Sequence, residues 1–199
     1  MPVPAVVSPS ATGEPRYEVL YDVAYIESRN RLTTLIRMIM MIPHAVVVYF
    51  WGIFAQALGV VQWFIILFTG KRNEGLFKLQ NDYLGYSTRV SSYAGLMYDE
   101  YPPFGTDPGA TGVTYSLDYT VTANRLTNAF RLIWAIPAMI IVYILSIAGF
   151  FVVVVSWFAI LITGKHPRGM FDFMLKVHRY YARATSYLML MTDTYPKYE

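Results

Sequence analysis

The chain has 199 residues, of which 55% are hydrophobic and only 15% charged, a balance that excludes an ordinary soluble domain and favours a lipid-facing surface. A net charge of +3 and a pI near 9.0 could suggest nucleic acid, but Lys and Arg sit beside the apolar runs instead of forming a basic arm, so membrane orientation explains them better. The absence of cysteine removes a disulfide framework, a thiolate metal site and a cysteine nucleophile.

Residues 1–16 are rich in Pro, Ala, Val and Ser and lack the basic region and apolar core of a secretory signal, and they read as a disordered tail. From Val19 to Pro102 the chain then matches itself without gaps at a constant shift of 94 residues, the offset between Val19 and Val113. Asn30-Arg31-Leu32-Thr33 meets Asn124-Arg125-Leu126-Thr127, Arg37 meets Arg131, and Ile42-Pro43 meets Ile136-Pro137. Further on, Trp63-Phe64 meets Trp157-Phe158, Thr69-Gly70-Lys71 meets Thr163-Gly164-Lys165, Arg89 meets Arg183, and Asp99 meets Asp193. The chain is therefore a duplication, with one module over 17–104, a linker over 105–112 and a second module over 113–199.

Each module opens on alternation. Val19, Tyr21, Val23 and Tyr25 share one side of an extended segment, as do Val113, Tyr115, Leu117, Tyr119 and Val121. A lone strand leaves its backbone unpaired, so these two segments are expected to pair with each other or with a partner protein.

Next come runs without Asp, Glu, Lys or Arg, from Met38 to Gly70 and from Leu132 to Gly164. A straight helix over either run is roughly 50 Å long, well beyond a bilayer core of about 30 Å. The expected solution is a transmembrane hairpin in each copy, two helices of about 18 to 20 residues each. The first hairpin would turn near Gly52 to Gln56 and the second near Ser146 to Gly149. Flanking charge agrees: Arg29, Arg31 and Arg37 precede the first run and Lys71, Arg72 and Lys78 follow it, while Arg125, Arg131, Lys165, Arg168 and Lys176 frame the second. Four crossings with both termini cytoplasmic follow. The alternative is one long kinked helix per copy, bent at Pro43 or Pro137.

After each run the apolar spacing becomes helical. Leu76, Leu79, Tyr83, Tyr86, Val90, Tyr93 and Met97 recur every three or four residues, with Lys78, Asp82, Arg89 and Ser92 opposite. Met170, Phe173, Val177, Tyr180, Ala184, Tyr187 and Met191 repeat the pattern against Asp172, Lys176, Arg179 and Arg183. These segments are expected to be amphipathic interfacial helices on the membrane surface, where abundant Tyr and Trp suit the headgroup zone. The fold class is thus mainly α and integral to a membrane, two pseudo-symmetric modules each made of a short strand, a transmembrane hairpin and an interfacial helix.

With these residues placed, both copies resemble the bacterial membrane family known as domain of unknown function 4389. The resemblance rests on Arg31 and Arg37, on Ile42-Pro43-His44, on the stretch Trp63 to Lys71, and on the ending Asp99-Glu100-Tyr101-Pro102-Pro103-Phe104. Trp157 to Gly164, Pro167 to Phe171 and Asp193 to Pro196 carry it in the second copy, where Thr194, Lys197 and Tyr198 depart from the acidic and Pro-Phe positions. The resemblance implies a bacterial membrane protein, and it implies no particular activity.

Chemistry is sparse. Thr-Gly-Lys lacks the upstream glycine and the following Ser or Thr of a phosphate loop, so Gly70 and Gly164 read as helix stops and the lysines as a border marker. Arg37 and Arg131 lie inside the predicted helices, where they are expected to snorkel to lipid phosphates. Two sharper readings are ion pairs with Asp99 and Asp193 that anchor the interfacial helices, and a lipid headgroup site that also uses Arg89 and Arg183. His44 stands opposite Ala138 in the repeat, which argues against a two-histidine metal or haem site. No Ser-His-Asp set, paired carboxylates or HExxH motif offers a reaction, and Asp99-Glu100 reads as a cap or contact at a helix end. The expectation is a non-catalytic membrane scaffold or accessory subunit in the bacterial inner membrane. It would have no cofactor, and its partners would be lipids and other membrane subunits or a second copy. The alternatives are a lipid-binding or membrane-shaping protein and a small transporter component, the last of which would need a polar pore.

Overall fold

A computed structural model of the chain describes residues 19–198, so the tail assigned to 1–16 lies outside the described residues. Two strands and five helices follow in order: β1 (Val19–Val23), α1 (Arg31–Thr69), α2 (Glu74–Ala94), β2 (Val113–Leu117), α3 (Arg125–Ala129), α4 (Arg131–Thr163) and α5 (Arg168–Leu188).

The strands pair with each other, antiparallel, with Val19 opposite Leu117 and Val23 opposite Val113. Tyr21 faces Tyr115, its own counterpart in the repeat, so the register itself is two-fold symmetric about that pair. The alternation read in the sequence decides the facing: Val19, Tyr21 and Val23 are buried while Leu20 and Asp22 point outward.

The expected hairpins do not form. α1 is one continuous helix of 39 residues and α4 one of 33, and both pass through the positions where turns were expected. The glycines there serve close packing instead of reversal. A Cβ at Gly52 would stand 2.8 Å from the Tyr83 hydroxyl, and one at Gly149 would meet Met174 and Val177 on the following helix. The single long helix per copy, the alternative to the hairpin, is the form adopted, with Pro43 and Pro137 both inside it. The second copy differs at one point: Phe130 (φ −101°, ψ 14°) separates α3 from α4 where α1 runs unbroken.

Both long helices stop as the Thr-Gly-Lys sequences indicate. Gly70 and Gly164 adopt φ of +69° and +74°, and their N–H groups close onto Ile66 and Ile160 carbonyls. At the other end the Asn30 side chain accepts from the N–H groups of Leu32 and Thr33, and Asn124 accepts from Thr127.

α2 runs back along α1, and α5 along α4. On the far side of this middle pair lies the sheet: Tyr115 meets α2 at Gly85, and Arg179 of α5 reaches the Tyr21 carbonyl. Neither strand touches α1 or α4. The molecule is therefore three layers, with the sheet on one side, α2 and α5 in the middle, and α1 and α4 on the other side. This corrects the interfacial assignment of α2, because Arg89 and Ser92, taken as its polar outer face, are buried. Tyr21 of the sheet meets Ser92 and the segment at Gly105 holds Arg89, while Lys78 of the same face stays exposed.

The two copies are interlocked, not docked. The end of α1 pairs with the start of copy two through Arg72 N–H to Val121 O (2.7 Å) and Ala123 N–H to Gly70 O (3.0 Å). The end of α4 returns the arrangement through Arg29 N–H to Gly164 O (2.9 Å) and His166 N–H to Glu27 O (2.8 Å). Trp63 donates its indole N–H to Asn128 O, and Trp157 donates to Thr34 O, the equivalent position. α1 and α4 thus lie antiparallel and are tied together at both ends.

Candidate functional site

The strongest candidate residues gather at two equivalent nodes, one in each copy. At the first, Arg37 Nη2 donates to Asp99 Oδ1 at 2.8 Å, while its Nη1 donates to the carbonyls of Tyr93 and Tyr98. The guanidinium also lies over the Tyr93 ring, 4.3 Å from the centroid. Asp99 uses its second oxygen to accept the backbone N–H of Asn30, the residue that caps α1. Arg131 reproduces every contact with Tyr187, Thr192 and Asp193, and Asn124 N–H meets Asp193 Oδ2 at 2.9 Å.

Snorkelling is corrected by this geometry, since the Arg37 and Arg131 side chains are only 2% and 1% exposed. Each guanidinium binds the reversal of chain just after α2 or α5, where Leu96 and Leu190 take positive φ of 62° and 65°. A non-glycine residue in that conformation is costly and persists where neighbouring bonds over-determine it, as the arginine does here by gathering the surrounding carbonyls.

Arg89 and Arg183 do not join these nodes. Arg89 is buried and donates to Gly105 O, and Arg183 donates to Lys197 O, so each fastens the segment that follows its own helix. The six arginines and aspartates considered for a headgroup site are therefore divided among separate structural contacts.

Sequence reasoning missed two participants. Arg72 crosses from copy one to Asp193 (Nη2 to Oδ1, 2.8 Å) and also donates to Leu190 O. Its counterpart in the repeat is His166, so matching identical residues hides it. The other is the pair Asn30 and Asn124, present in the matched quartets but not read as the groups whose backbone N–H meets the aspartate.

His166 is buried beside Arg29 and stands edge-on to Phe171, and loss of hydration together with the Arg29 charge lowers its pKa to about 4. His44 is also buried, its Nδ1 2.6 Å from the Tyr86 hydroxyl and its ring stacked on Phe104. Among the described residues, no three His, Asp or Glu side chains converge as metal ligands would.

The outer surface of α1 and α4 is of another kind. The buried stripe of α1 contains Thr34, Arg37, His44, Gly52, Ala55, Gln62 and Ile66, whereas Ile39, Phe50, Phe54 and Phe68 are exposed. α4 buries Arg131, Ala135, Ala138, Gly149, Ser156 and Ile160 and exposes Leu132, Ile140, Phe151 and Ile162. Polarity is inverted relative to a helix on the surface of a water-soluble protein. In the most apolar window of each helix only 17% and 11% of the residues are buried within the described chain. Both are long and apolar enough to cross a membrane by length and composition.

These features define a duplicated, mainly helical protein in which two apolar helices are fastened to a polar layer by buried arginine–aspartate nodes. The chain belongs to the family described as domain of unknown function (DUF4389), whose model matches residues 31–105 and 125–198. The first match opens at the start of α1 and the second at the start of the short helix α3, each includes the node aspartate, and β1 and β2 lie outside both. No curated protein and no solved structure matches the chain.

Proposed function

We propose that this protein is a non-catalytic membrane scaffold or accessory subunit, embedded in a bacterial inner membrane with both termini on the cytoplasmic side. One observation carries the reading: α1 and α4 turn polar and small residues inward and large apolar residues outward. An apolar surface running the length of two such helices far exceeds what a monomer keeps in water, and its natural complement is lipid together with the apolar face of a partner. The buried guanidinium groups of Arg37 and Arg131, each bonded to a carboxylate and two carbonyls, support a structural role for the nodes, that of fastening the long helices to the layer behind them.

Fractionation followed by purification in mild detergent tests this. The full chain is expected to stay in the membrane pellet through an alkaline carbonate wash and to copurify with a stoichiometric protein partner. A strictly monomeric 22.8 kDa particle would remove the accessory-subunit reading. A second reading, lipid binding or membrane shaping, is favoured by the exposed cations Arg31, Lys71 and Arg125 at the ends of the apolar helices.

A further inference from the structure

We infer that the protein lies flat in one leaflet, with α1 and α4 parallel to the membrane plane and the sheet toward water, and that an anionic lipid surface is the partner its apolar face fits. This rests on the membrane reading above and adds the direction in which the apolar face is presented.

The argument begins with what accompanies α1 along its length. Arg37 meets Tyr93, His44 meets Tyr86, Gly52 meets Tyr83, Ala55 meets Gln80 and Gln62 meets Asn73. α2 therefore runs beside most of α1, and it carries the exposed Glu74 and Lys78 and the half-buried Asp82. Beyond it the sheet exposes Asp22, Thr114 and Ser116, and among the described residues no third strand pairs with either of its edges. If α1 stood along the bilayer normal, these charges and unpaired backbone groups would sit beside hydrocarbon. Open sheet edges and lipid-exposed charges are not found there, because hydrocarbon offers them neither hydrogen-bond partners nor solvation. Laid flat, the same three layers fall in the order that a single interface demands: apolar helices in the acyl region, a packed middle layer, and a polar sheet in water.

Helix length points the same way. At 1.5 Å per residue α1 is roughly 58 Å long, about twice the hydrocarbon thickness, a mismatch that matters to a crossing helix and not to one lying in the plane. Charge completes the case. Arg31 and Lys165 stand at one end of the antiparallel pair and Lys71 and Arg125 at the other, all exposed, with Lys165 also meeting the exposed Glu27 at 3.0 Å. In a flat arrangement both clusters reach phosphates of the same leaflet, and the pseudo-two-fold through Tyr21 and Tyr115 becomes the membrane normal.

The lack of cysteine makes the test direct. Single variants Asp22→Cys, Lys71→Cys and Lys165→Cys, in the full chain within sealed native-orientation and inverted membrane vesicles, are treated with an impermeant maleimide. All three are expected to react from one face and to be protected from the other. Reaction of Lys71→Cys and Lys165→Cys from opposite faces would overturn the flat arrangement and leave membrane residence standing. Failure of the chain to sediment with either vesicle type would instead overturn the membrane reading. As a second measurement, nitroxides at Ile39→Cys, Phe54→Cys and Phe68→Cys in phosphatidylglycerol–phosphatidylethanolamine vesicles should show one shallow depth from end to end. A central position much deeper than its flanks would reject the proposal. So would labels shielded from a lipid-soluble relaxer and coupled between chains, which would make a second copy the occupant.

Discussion

The two nodes share a backbone and differ in their second cation. Around Asp99 the neighbours are Arg37, Arg29 and a buried imidazole, His166; around Asp193 they are Arg131 and Arg72, with Ala123 at the place of Arg29. In the first node Arg29 arises from copy one and donates to Met97 O at 2.6 Å, while in the second Arg72 arrives from the opposite copy and donates to Leu190 O at 2.8 Å. Duplication preserved the carbonyl-rich reversal that needs a cation and let the cation come from either chain segment. The consequence is unequal loading: Asp193 answers two guanidinia directly, and Asp99 answers one.

Removing the carboxylates probes that inequality most severely. Asp193→Asn should destabilise the protein by about 5 kcal/mol and Asp99→Asn by about 3 kcal/mol, because each leaves buried guanidinium charge without its counter-ion and the former strands two. Denaturant titration in detergent micelles would check the order, and equal losses would show that Arg72 does not depend on Asp193. A smaller effect should come from His166. Its pKa is lowered to about 4, so the folded state favours the neutral ring, and the stability this provides is complete above the unfolded value of about 6.5 and is lost as pH falls toward 4. Lowering pH from 7.5 to 5.5 should cost about 1 kcal/mol in the native chain and much less in His166→Gln, measured as the shift in denaturation midpoint. The smallest difference lies at the sheet centre, where Tyr21 meets Ser92 at 2.5 Å and Tyr115 meets Ser186 at 3.5 Å. Tyr21→Phe should cost about 1 kcal/mol and Tyr115→Phe roughly half as much or less, read from thermal unfolding of the paired variants.

Much of the architecture was legible in particular residues. The alternation about Tyr21 and Tyr115 foretold two strands, and the need to satisfy their backbones foretold pairing with each other or with a partner protein, of which the first is the one adopted. Gly70 and Gly164 marked the helix ends, because only glycine accepts the left-handed turn there without cost. The Arg37 and Asp99 matches raised an ion pair as the sharper reading. Gly52 misled, since a glycine in an apolar helix can signal either a turn or a close neighbour, and here Tyr83 is that neighbour. Arg89 misled for a related reason: its spacing placed it on a polar face, but β2 and the segment ending at Gly105 cover that face.

Duplication, the element types, the apolar runs and the sites of the helix stops were determined by the sequence itself, because repeat identity, side-chain period and glycine conformation are local properties of the chain. That α1 and α4 remain unbroken, that each copy closes the other's helix end, and that Arg72 finds Asp193 were decided only by tertiary structure. Those outcomes depend on which surfaces meet: a helix turns or continues according to what packs against it, and a buried charge settles where distant segments together supply its counter-ion and carbonyls.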